Sequence, residues 1–138
     1  MVEDLVVYLN TELGLVYGTN VFRGPKARLP RGDGPYLTII ETLGLAPEGT
    51  HNAVDYPAYV RPSAQLLFRS TDHEDARVLA QQVWDLLQPV RNKFINGTWW
   101  RELNVQSEPF DLTPDEEGRA RIAFAIDVVK RTSPATSL

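Results

Sequence analysis

Apolar residues at Val2, Leu5, Val6, Leu9 and Leu13 recur at intervals of three and four, which predicts one amphipathic helix over Val2 to Leu13. Glu3 and Asp4 stand in its first turn, where the helix dipole favours negative charge, and Gly14 follows as a stop. A second stripe, Ala76, Leu79, Ala80, Val83, Leu86, Leu87 and Val90, predicts a helix that ends near Gln88, before Pro89. Thr71-Asp72-His73-Glu74 precedes it as a capping box, with Thr71 as the cap and Glu74 reaching back.

Elsewhere the period shortens to two. Val21-Phe22 reads as a brief strand and Tyr36 to Thr42 as a longer one. In a strand from Ala58 to Arg69, Ala58, Val60, Ala64, Leu66 and Phe68 share a face, and Arg61, Ser63, Gln65 and Arg69 share the other. Pro57 and Pro62 lack an amide donor, so its first half is expected at an edge or a bulge. Asn96-Gly97 predicts a tight hairpin joining Phe94-Ile95 to a strand from Thr98 to Gln106. There Trp99, Leu103 and Val105 are expected on one face and Trp100, Glu102, Asn104 and Gln106 on the other. The last strand, Ala120 to Arg131, points Ile122, Phe124, Ile126 and Val128 inward and Arg121, Ala123, Ala125, Asp127 and Val129 outward.

These elements predict an α/β fold of the α+β type: a mostly antiparallel mixed sheet with two helices packed on one face. At 138 residues one domain is expected, over 1–131, with long loops at 23–35 and 43–56 and a flexible tail at 132–138.

Composition narrows the chemistry. Cysteine is absent, which removes disulfides, thiolate nucleophiles and Cys-based metal sites, and His51 and His73 are the two histidines. His73 reads as a solvated helix residue and His51 as a loop residue. No phosphate-binding glycine loop and no serine elbow is present. The expectation is a non-enzymatic protein with no cofactor and no bound metal. The N-terminus has the wrong charge for a signal peptide, and no apolar run approaches the roughly 20 residues that span a bilayer. A soluble protein made in a cytoplasm, with no membrane partner, is expected.

The net charge of −4 argues against a general nucleic-acid binder. The charges are unevenly distributed. Arg23, Lys26, Arg28 and Arg31 with Asp33 give the glycine- and proline-rich stretch 23–35 a net +3. Arg31-Gly32-Asp33 also matches a cell-adhesion tripeptide, a coincidence that recurs often by chance. Glu108, Asp111, Asp115, Glu116 and Glu117 give −5. The acidic run lacks the spaced oxygens and placed glycine of a calcium loop and reads as a solvated turn. A basic loop on one copy and an acidic loop on the next could meet in a head-to-tail ring. Adjacent Trp99 and Trp100 cannot both enter one core, so one of them lies under the chain's own helix or loop or meets a partner, and Trp100 is the candidate for a partner interface. Ala123 and Ala125 offer a small outward face where another backbone could approach.

The order of Val21-Phe22-Arg23-Gly24-Pro25, Arg69-Ser70-Thr71-Asp72, Ala76, Ala80 and Trp84-Asp85-Leu86-Leu87 forms one half of a wider pattern. Asn96-Gly97, Ser107-Glu108-Pro109, Asp115-Glu116-Glu117-Gly118-Arg119 and the closing alternating strand form the other. Together they resemble the tail terminator proteins of long-tailed bacteriophages, also described as minor capsid proteins. The resemblance implies a virion structural protein at the head–tail junction. Such a protein forms a ring of its own copies, usually a hexamer, at the head-proximal end of the tail tube. The ring ends tube polymerisation and joins the tail to head-completion proteins, and DNA passes through without specific binding. Mild acidity suits such a ring, because a strongly basic lumen would retain phosphates. The readings weighed against it are a non-catalytic ligand-binding α/β module and a small enzyme with a site assembled between subunits.

Overall fold

In the computed structural model, described over residues 1–24, 34–48, 59–116 and 118–131, two helices and seven strands follow the chain. They are α1 (Val2–Leu13), β1 (Val21–Arg23), β2 (Tyr36–Glu48), β3 (Tyr59–Ser70), α2 (His73–Leu87), β4 (Arg91–Ile95), β5 (Thr98–Val105), β6 (Phe110–Leu112) and β7 (Ala120–Arg131). The strands form one sheet in the order β1-β2-β3-β7-β5-β4, with β6 also paired to β7. β1 runs parallel to β2, and every other pairing is antiparallel.

The α1 stripe ends where Gly14 adopts the left-handed conformation, φ 71°, and its N–H bonds to the Asn10 carbonyl. A side chain there would be strained. Asp72, rather than Thr71, caps α2: its carboxylate accepts from the Glu74 N–H at 2.9 Å. The helix begins one residue later than the capping-box spacing suggests. A tight turn joins β4 to β5, because Asn96 and Gly97 both hold positive φ, 51° and 78°.

Helices and sheet enclose one apolar core. Leu5 and Leu9 of α1, Leu79 and Val83 of α2, Leu66 and Phe68 of β3, and Ile122, Phe124 and Ile126 of β7 are buried in it together. Leu86, expected among them, is partly buried and packs against the cluster. Phe68 stacks on Phe124 with ring centroids 5.7 Å apart. These burials follow the alternation of β7 and the helical stripes.

Three expectations are corrected. β2 runs on to Glu48, so the strand occupies the first part of the loop expected from residue 43; residues 49–58 lie outside the described residues, as does the tail 132–138. β3 is central, between β2 and β7, and of the two readings at Pro62 the bulge is the one present, as a register shift in β2 between Thr42 and Leu45. Residues 110–112, read as connection, pair with β7 as β6. The faces of β5 are exchanged around Trp100: its register against β7 shifts between Trp100 and Glu102, leaving Arg101 as an extra residue. One inserted residue flips the alternation.

Candidate interface surfaces

The acidic run is held against α2. Asp111 on β6 bonds to the His73 ring at 2.8 Å, Arg77 donates to the Pro109 carbonyl at 3.1 Å, and Trp84 Nε1 donates to the Ser107 carbonyl at 3.0 Å. These contacts fix Glu108 and Asp111 along one flank of α2, and Glu74 and Asp85 of the same helix are also exposed. His73 is exposed as expected, but it is tied to Asp111. Asp115 closes a turn: its Oδ1 accepts the Arg119 N–H at 2.8 Å and its Oδ2 lies 3.6 Å from the Arg119 guanidinium. Glu116 is exposed, and Glu117 lies outside the described residues.

The basic stretch divides. Lys26, Arg28 and Arg31 lie outside the described residues. Arg23 belongs to β1 and not to a loop, and its guanidinium bridges Glu3 of α1 at 2.9 Å and Glu41 of β2 at 3.0 Å. Its charge is already met within the chain.

Trp100 is 0% exposed and sits in the core with Leu103, so it offers no surface to a partner in the folded chain. The exposed aromatic of this hairpin is Phe94, 65% exposed, which meets the half-buried Trp99 edge-on at 4.9 Å. Its signal was its place across the Asn96-Gly97 turn from Trp99. Ala123 is also fully buried, flanked in the sheet by Leu67 and Phe110. Formation of β6 beside it removes the open approach expected there. Ala125 stays partly accessible.

At the N-terminus of α1, Asp4 is buried and tied down twice. It accepts from Asn96 Nδ2 at 3.1 Å and pairs with Lys130 at 3.4 Å. Lys93 bonds to the Tyr8 hydroxyl at 3.1 Å, which lifts its pKa above the usual lysine range. These contacts fasten α1 to the β4–β5 hairpin and β7. An open polar cleft at the start of α2 is lined by Gly34, Ser70, Thr71, Asp72, His73 and Asp75. Among the described residues no group of three or more His, Asp or Glu is placed to hold a metal ion. No helix among them is long and apolar enough to cross a membrane.

The arrangement is that of an open, mostly antiparallel α+β sheet protein with charge gathered on its surfaces. No family model matches the chain, and no curated protein matches it. Among solved structures it is similar to a chain of the "Virion of native gene transfer agent (GTA) particle", with a TM-score of 0.61 and 13% identity, covering 93% of each chain. The two chains share a fold over nearly their whole lengths.

Proposed function

We propose that this chain is a virion structural protein of the tail terminator type. It forms a ring at the head-proximal end of a phage tail tube, ends tube polymerisation and offers a surface to the head-completion protein. The likeness of fold to a chain of a virion particle, over 93% of both chains, carries the reading. The order of motifs from Val21 to Arg131 supports the finer role. In this reading DNA passes through the ring without specific binding, and the chain acts by contact and not by catalysis. Glu108, Asp111, Asp115 and Glu116 face a neighbouring subunit, and Lys26, Arg28 and Arg31 serve the neighbour or the tube and head partners. Phe94 and Ala125 are apolar contacts that accompany these charges.

Light scattering on the purified chain, beside electron micrographs of the same sample, tests the ring. The expected result is a closed annular particle with a mass near six chains. A chain that stays monomeric at all concentrations, alone and with tube protein, would overturn the reading.

A further inference from the structure

The sheet face turned away from the helices is basic, although the chain as a whole is acidic. Arg69 and Arg121 stand directly opposite each other across β3 and β7. Like charges in that position repel. Arg69 lies over the Tyr36 ring at 5.4 Å, and Arg121 Nε donates to the Thr113 carbonyl at 2.7 Å. At the other end of the same two strands Arg131 stands opposite Tyr59 in the register, and Arg101 lies over the Tyr59 ring at 5.0 Å. Arg61 falls near them on the outward side of β3. Among the described side chains, the carboxylates Glu102 and Asp127 share this face, and Asp127 is engaged by Ser63 Oγ and by Gln106 Nε2 at 2.8 Å. Stacking and carbonyl contacts hold several of these guanidinium groups in place, so a partner meets prearranged charge.

Opposite in sign is the surface made by α2 and residues 107–111. There Glu74, Asp85, Glu108 and Asp111 are exposed, and Arg77 of the same helix is bound to the Pro109 carbonyl. Both surfaces also carry exposed apolar groups: Val78 (50%) on α2, and Phe110 (44%), which stands opposite Ala123 on the sheet face while its neighbour Asp111 turns to α2. Exposed ion pairs hold little by themselves, because water and salt screen them, so such groups are needed beside the charges.

We infer that the arginine-bearing sheet face of one copy docks on the acidic surface of α2 and residues 107–111 of a second copy. The two surfaces are different patches of one chain, so the contact is head-to-tail and propagates, closing as a ring when the rotation permits. This deepens the ring reading above and rests on it. It also replaces the basic loop by the sheet arginines as the counterpart of the acidic run. A nucleic acid is the disfavoured occupant, because the acidic layer and the net charge of −4 oppose phosphate.

The test is charge reversal on each surface of the full chain, read by light scattering at low salt. Arg121→Glu with Arg131→Glu should remove the high-mass species, and so should Asp85→Lys with Glu108→Lys. The chain carrying all four should regain it. Unchanged near-ultraviolet circular dichroism shows that each variant is folded. If the reversals disturb folding, Arg121→Gln with Arg131→Gln replaces them and should raise the concentration needed for assembly at least tenfold. Retention of full ring mass by either reversed pair overturns this interface while the ring reading stands. Failure of the fourfold variant to regain the ring also overturns it. A wild-type chain that never exceeds monomer mass overturns the ring reading itself. Duplex DNA that binds the wild type and not the Arg121/Arg131 variant, with ring mass unchanged in both, assigns the face to nucleic acid instead.

Discussion

Trp100 and Leu103 stand three residues apart on one strand, yet both side chains are buried in the same core. In a regular strand that spacing sends two side chains to opposite faces. The extra residue at Arg101 restores them to one side and sends Trp99 outward against Phe94. Trp100→Ala should therefore destabilise the folded chain by about 3–5 kcal/mol, the usual cost of emptying a large aromatic site. Trp99→Ala should cost clearly less. Urea unfolding of the two variants checks the order, and a larger loss for Trp99 would contradict the assignment of faces.

Phe124 occupies the middle of β7, fully buried and stacked on Phe68. Phe124→Ala should cost about 3–5 kcal/mol in equilibrium unfolding. A loss under about 1 kcal/mol would mean that the core is centred elsewhere, since that is the scale of a surface change.

Much of this architecture could be read from residue order. The stripe from Val2 to Leu13 and the alternation from Ala120 to Arg131 each carry a long, unbroken period, and both elements have the expected bounds. Local pattern fails where a distant partner decides. Nothing near Phe110 announces β6, because three residues become a strand only when β7 lies beside them. The bulge at Arg101 is equally silent, since it exists only in the register against β7. The same holds for the surfaces. Arg61, Arg69 and Arg121 can each be read as outward-facing, but their gathering on one face depends on the pairing of β3 with β7. Sequence proximity favours the segment that starts at Arg23 instead, and Arg23 itself is met by Glu3 and Glu41.

The start of α2 gives a local prediction. Asp72 accepts the Glu74 N–H, one of the helix's unpaired donors. Asp72→Ala should lower stability by about 0.5–2 kcal/mol, and Asp72→Asn, which keeps an acceptor, by less. Thermal melting of the two variants at neutral pH separates them.

Acid should act through Glu3. A hydrogen bond from its own backbone N–H, helped by the Arg23 guanidinium, holds its carboxyl below the ordinary value of 4.5. A carboxyl depressed on folding adds stability above its unfolded pKa and loses it as pH falls through the folded one. The side chain is 67% exposed, so the effect is small, about 0–1 kcal/mol at neutral pH. Glu3→Gln should lie below wild type by that amount at neutral pH, and the two should converge as pH falls below 4.5. A gap that widens in acid would reverse the sign argued here.

Termination of the tube is the central claim, and tail length reads it directly. Electron micrographs of particles assembled with and without this chain should differ in one respect above all. With the chain present, tails should have one length and carry a ring at the head-proximal end. Without it, tubes should run on to a broad spread of lengths and fail to join heads. Tubes that keep one uniform length in its absence would contradict the account.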